Sequence, residues 1–203
     1  MVEKGKANPF ENIRAIVKDQ NGILSTSDLS RHGIPRTYLS ILEKRGEFQR
    51  ISRGVYSARG YLVDEMLAIQ VRYQEALFSH KTAAYLLGLT DLTPLFYSVT
   101  VPSGYNANSL KANGVKVYFV DRELYQLGSI TLKSPHGNDI KTFNLERTVC
   151  DVLRSRNQVD IQLVNEVLKR YVKKKERDLG LLYQYAGQFR IQKIVREYIE
   201  VLL

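Results

Sequence analysis

Hydrophobic positions recur at helical spacing from the start of the chain. Phe10, Ile13, Ile16 and Val17 fall on one face of a helix that Asn8-Pro9 opens and Asn21-Gly22 ends. Asn accepts backbone N–H groups at an N-cap, and Pro tolerates the first turn because its missing N–H has no partner there. Ile23-Leu24 is too short for a helix and reads as a small strand. Ser25-Thr26 caps a second helix, Ser27 to His32, with Leu29 buried and Gly33 in the left-handed position after its end. Ile34 is a core plug in the turn. A third helix runs over 35–45, from Pro35 to the stop at Gly46, and buries Tyr38, Leu39 and Leu42. Residues 48–57 then alternate apolar and polar around Ser52-Arg53-Gly54, the pattern of a hairpin with Arg50 and Arg53 at or near its tip.

Helix, strand, helix, turn, helix, two-stranded wing is the winged helix-turn-helix order, assigned to residues 1–60. The face of the third helix opposite its buried stripe carries Arg36, Thr37, Ser40 and Lys44. Short side chains permit close approach to a DNA major groove, and flanking cations suit guanine edges and phosphates. The expected DNA-binding set is Ser25, Thr26, Arg36, Thr37, Tyr38, Ser40, Lys44, Arg50 and Arg53. In it, Ser25 and Thr26 donate to a phosphate from the start of the second helix, while Tyr38 counts both here and in the buried stripe.

Beyond residue 60 the pattern changes, and residues 61–203 read as a second domain, mixed to about 157 and helical to the end. A helix over Val63–Tyr73 serves as linker or first element. A short strand at 76–78 leads through Ser79-His80 to a helix from Lys81 to Leu87. Strands follow at 96–101, 115–120, 129–133 and 140–143. Asn144 caps a helix to Arg154, and further helices cover about 159–172, 178–187 and 190–203. The fold class is α+β.

Charge adds a direction. Of the net +9, residues 1–60 hold +5, residues 61–157 hold +1 and residues 158–203 hold +3. Basic excess in a compact domain suits a polyanion. The cluster Lys169, Arg170, Lys173, Lys174, Lys175 and Arg177 reads partly as helix termination and partly as a surface for phosphate or an acidic partner. One cysteine, Cys150, allows no internal disulfide and fits a reducing compartment. No secretory signal or membrane-length apolar run is found, so the chain reads as soluble and cytoplasmic.

No catalytic or metal motif appears, and no cofactor is expected. The three histidines, His32, His80 and His136, lack ligand spacing. Ser79-His80 does not read as a nucleophile pair, because neighbours in sequence do not present their side chains together; His80 instead caps or anchors the following helix. Asp121, Glu123 and Lys133 imitate a metal-dependent nuclease only loosely.

The segments Gly22-Ile23-Leu24-Ser25-Thr26, Gly33-Ile34-Pro35 and Ile51-Ser52-Arg53-Gly54-Val55-Tyr56 resemble the AbiEi antitoxins of bacterial abortive-infection (phage-defence) systems. So do Ser79 to Leu89, Val99-Thr100-Val101-Pro102 and Glu146 to Arg154, the last with an Arg-x-x-x-Asp pattern. The resemblance implies a type IV antitoxin that represses its own two-gene operon by binding inverted repeats, two copies per operator. It also implies a C-terminal domain that counters a nucleotidyltransferase-like toxin without a stable complex. Lys133, Lys141, Arg147, Arg154 and Lys169 are the candidates for a basic antitoxin surface. The alternatives are a stand-alone winged-helix regulator with a C-terminal interaction domain, or the nuclease.

Overall fold

The computed structural model describes residues 8–202. The chain divides into two compact units, residues 8–74 with 133–140, and residues 75–132 with 141–202. The class is α+β, with an N-terminal winged helix.

In the first unit, α1 (Pro9–Asp19) is capped by Asn8, whose side chain accepts from the Phe10 N–H at 3.1 Å. It is followed by β1 (Ile23–Ser25), α2 (Thr26–Arg31) and α3 (Thr37–Lys44). The wing is β2 (Phe48–Ser52) and β3 (Val55–Ala58), and α4 (Glu65–Arg72) closes the unit. The three strands form an antiparallel sheet in the order β1-β3-β2, so the short strand between the first two helices anchors the wing from its inner side. Ile13, Leu24, Leu29, Ile34, Leu39 and Leu42 form the core. They come from separate elements, each too short to be stable without the others.

α4 departs from its expected role as linker or start of a second domain. It packs on β1 and β3, burying Ala68 with Ile23 and Val55. Its N-cap, Asp64, is buried, accepts from the Leu67 N–H at 3.1 Å, and also takes hydrogen bonds from the Ser134 hydroxyl and the Asn138 amide. Those donors sit in the 133–140 hairpin tip, which is why a segment far away in sequence belongs to this unit.

The second unit is built on a mixed five-stranded sheet in the order β6-β5-β4-β8-β7. Its strands are β4 (Leu77–Phe78), β5 (Ser98–Pro102), β6 (Lys116–Val120), β7 (Ser129–Lys133) and β8 (Asp139–Phe143). α5 (His80–Leu86) joins β4 to β5, which pair antiparallel. β5 and β6 are parallel and need a crossover, supplied by α6 (Asn108–Ala112). The sequence gives no signal for α6, since its five residues bury Leu110 alone.

α7 (Leu145–Arg154) is central and is buried from Glu146 to Leu153. α8 (Ile161–Tyr171), α9 (Leu179–Gln188) and α10 (Gln192–Glu200) complete the unit. Their apolar faces join those of α5 and α7 in one core. Cys150 lies in it, and burial pushes its thiol up to about 12, which keeps it protonated and unreactive at neutral pH. Among the described residues no helix is long and apolar enough to cross a membrane.

Candidate nucleic-acid interface

The sequence of α3 separates two faces cleanly. Leu39 and Leu42 point into the core, while Arg36, Thr37, Ser40, Ile41 and Lys44 are exposed. Arg36 occupies the N-cap position in a helical conformation without capping the helix, so its guanidinium is not consumed there. Thr37 and Ser40 place short hydroxyls on the following turn, and Lys44 stands at the C-terminal end.

The wing turn is Arg53-Gly54. Gly54 has φ +79°, and a Cβ added there would lie 2.9 Å from the Thr26 hydroxyl oxygen. The Thr26 N–H donates to the Gly54 carbonyl at 2.9 Å. Glycine is therefore required twice over, by backbone conformation and by the approach of α2. This contact ties the start of α2 to the turn that carries Arg53. In β2 the register shifts between Arg50 and Ser52, and the Arg50 Nε–H donates to the Ser52 carbonyl at 3.4 Å.

Ion pairing divides the cations of this unit. Arg14 and Arg45 approach Glu47 at 3.8 and 3.9 Å, Arg31 pairs with Asp28 at 2.7 Å, and Lys133 pairs with Asp139 at 2.8 Å. Arg36, Lys44, Arg50 and Arg53 are exposed, and none has an ion-pair partner among the described residues. Lys18 on α1 and Arg59 just after the wing are likewise exposed without an ion-pair partner among the described residues. Four of these six cations thus lie on α3 and the wing, where the fold presents a helix and a hairpin.

Two members of the expected DNA-binding set are corrected. Ser25 is only 2% exposed. Its hydroxyl donates to the Asp28 carboxylate at 2.6 Å and accepts from the Asp28 N–H at 3.1 Å, while the carboxylate accepts from the Ser25 N–H at 2.8 Å. This reciprocal capping box uses the groups expected to face a phosphate. Tyr38 is half-buried, its ring edge-on to Phe10 at 5.1 Å, so it serves the core. Thr26 is half-buried against the wing turn.

The five cations expected to form an antitoxin surface do not share one. Arg147 has no exposed side-chain surface. Its guanidinium donates to Asp151 at 3.1 Å and to the carbonyls of Leu124 and Leu127 at 2.9 and 2.6 Å, between the rings of Phe143 and Phe189. The Arg-x-x-x-Asp pattern is thus an internal i,i+4 pair that pins the 124–127 turn onto α7. Burial lowers the Arg147 guanidinium and raises the Asp151 carboxyl, as expected for a desolvated pair. Arg154 is half-buried, over Phe189 at 4.9 Å and 3.9 Å from Asp151. Lys133 is in the first unit, and Lys141 and Lys169 are exposed on β8 and α8.

Ser79 and His80 do meet, against expectation. His80 has φ +50°, and this left-handed backbone brings its Nδ1 within 2.9 Å of the Ser79 hydroxyl. Nε2 reaches the Ser155 hydroxyl at 3.0 Å, and the ring stacks on Tyr118 at 3.4 Å. Both Ser79 and His80 are fully buried, so no substrate reaches them. The pair staples β4 to the end of α7. Burial, then Arg154, Arg147 and Lys116, lowers the imidazole well below its ordinary value and keeps it neutral. Asp121 and Glu123 are exposed around a 3₁₀ turn, and among the described residues no three His, Cys, Asp or Glu side chains are placed to share a metal.

With this geometry in place, likeness to known proteins becomes informative. Residues 11–58 match the family described as "Transcriptional regulator, AbiEi antitoxin". The winged helix is thus similar to that of AbiEi-type regulators. The match covers α1 from Glu11, then β1, α2 and α3, together with the wing through its last residue, so it takes in Arg36, Lys44, Arg50 and Arg53. No curated protein matches the chain. Among solved structures, the crystal structure of RV2827C protein from Mycobacterium tuberculosis is similar over 95% of this chain and 80% of that one. The TM-score is 0.52 at 11% identity, so this likeness concerns the fold alone. It extends beyond the AbiEi segment to nearly all of the chain.

Proposed function

We propose that the protein is an AbiEi-type antitoxin and transcriptional autorepressor that binds double-stranded operator DNA. α3 lies in the major groove with Arg36, Thr37 and Ser40 nearest the bases. Arg36 is suited to a guanine edge by its two-pronged donor geometry, and Thr37 and Ser40 are short enough to let the helix seat. Lys44 and Arg50 contact phosphates, and Arg53 reaches the backbone or minor groove. Inverted repeats in the promoter of its own two-gene operon place two copies on one operator. The C-terminal unit counters a nucleotidyltransferase-like toxin.

The observation that supports this reading most is the set of four cations without ion-pair partners on α3 and the wing, inside the segment that matches the family. A salt-titrated mobility shift on the chain's own promoter tests it. Three backbone-directed cations per copy, Lys44, Arg50 and Arg53, correspond to a slope of log K against log salt of about −2.7. Arg36→Ala is expected to cost about 1–3 kcal/mol and to relax base preference at one position. Arg53→Ala is expected to weaken all sequences alike and to reduce the slope by about one. Unchanged binding in both variants would remove this docking.

A further inference from the structure

The second unit leaves an apolar ridge uncovered beside a socket. Leu92, Leu95 and Phe96, in the loop between α5 and β5, are 52%, 88% and 67% exposed. Single exposed apolar side chains are ordinary, but a contiguous group rimmed by charge marks a binding surface. All three line a cavity of about 240 Å³ whose far wall is Tyr118, Val159 and Leu163.

The rim is cationic. Lys81 is half-buried on the cavity wall and has no ion-pair partner among the described residues. Lys116 stands 5.2 Å over the Tyr118 ring and donates to the Gln158 carbonyl at 3.1 Å. Of the acids nearby, Asp160 also lines the cavity and keeps its charge, and Asp91 is ion-paired with Arg170. Asp160 accepts from the Gln162 N–H at 2.8 Å as the cap of α8. The socket is thus apolar with an edge that carries two lysines against one carboxylate, a net positive charge.

We propose that this face docks an acidic segment of a partner protein that inserts a large apolar side chain between Phe96 and Leu163. Charge decides the occupant. A second copy would bring the same net positive edge against itself across a two-fold interface, on a chain of net +9. A partner with Asp or Glu flanking a Leu or Phe anchor satisfies both the ridge and the rim. Anchors of this kind, seated in a pocket and shielded from water, dominate interface energetics.

Full-length protein would be titrated against three fluorescein-labelled nine-residue peptides. One alternates Leu and Phe with Glu, a second has Lys for Glu, and a third has Ala for the apolar residues. Only the first is expected to bind saturably, in the micromolar range. Phe96→Asp is expected to weaken it at least tenfold, and Lys81→Glu to shift preference toward the Lys peptide. Mobility shifts on promoter DNA with the same variants check folding and are expected to be unchanged, which separates this proposal from the DNA reading. Equal binding of the Glu and Lys peptides, no saturation at millimolar peptide, or affinity indifferent to both substitutions would overturn it. So would a dimer in sedimentation equilibrium that Phe96→Asp dissociates, since the occupant would then be a second copy.

Discussion

Replacing Arg147 by Met separates an internal role for this residue from a surface one. The side chain is fully buried and makes three donor contacts, to Asp151 at 3.1 Å, Leu124 at 2.9 Å and Leu127 at 2.6 Å. Methionine keeps most of the stem volume between Phe143 and Phe189 but removes every donor. Asp151 is then left as a buried carboxylate whose nearest cation is Arg154, 3.9 Å away. Breaking one side of a buried pair costs about 3–5 kcal/mol, because the remaining charge stays desolvated without compensation. With a urea dependence of about 2 kcal/mol per molar, the unfolding midpoint falls by about 2 M. The chain has no Trp and 13 Tyr, so circular dichroism with near-ultraviolet tyrosine signals follows the transition. The double variant Arg147→Met with Asp151→Leu removes both charges and is expected to recover about half of the loss or more, since an apolar replacement of a buried pair is often tolerated. A cost under about 1 kcal/mol for Arg147→Met, or strictly additive single effects, would refute the reasoning and return Arg147 to the surface.

Three further outcomes are expected. Gly54→Ala forces a Cβ into a left-handed residue and toward the Thr26 hydroxyl, so it destabilises the first unit by about 1–2 kcal/mol and weakens DNA binding, readable by thermal melting and mobility shift. His80 is neutral in the folded state because burial lowers its pKa, whereas the unfolded chain takes up a proton below about 6.5. Stability therefore falls as pH drops through that value, by up to about 1.4 kcal/mol per pH unit, and His80→Phe, which keeps a ring against Tyr118, flattens the dependence in urea melts at pH 5 and 7. Asn138→Ala leaves buried Asp64 with one donor fewer and costs about 1–3 kcal/mol, with hydrogen exchange rising at the start of α4; unchanged protection there would show that the hairpin tip does not hold the cap.

Much of this molecule was legible in local pattern. The winged-helix elements, the glycines at 33 and 54, the Asn144 cap and the polar face of α3 all follow from spacing and turn chemistry within a few residues. Periodicity shows that a face is polar, and that sufficed for Arg36, Thr37, Ser40 and Lys44. It does not show which polar groups are already satisfied. Ser25 looks like a free phosphate donor until Asp28 is seen to close a capping box on it. Arg147 looks like a surface cation because arginine is so rarely fully buried unpaired, and its partners, two carbonyls some twenty residues upstream, cannot be read from the helix that carries it.

By itself, then, the sequence determined the elements other than α6, the fold class and the basic face of α3, because helices, hairpins and caps are set by interactions over three or four residues. Only the tertiary structure decided that α4 and the 133–140 hairpin tip complete the first unit, that Ser79 and His80 meet, and that Leu92, Leu95 and Phe96 stand open beside two lysines. Each of those depends on which distant segments share a core, and burial and pairing are properties of that arrangement, not of the chain around each residue.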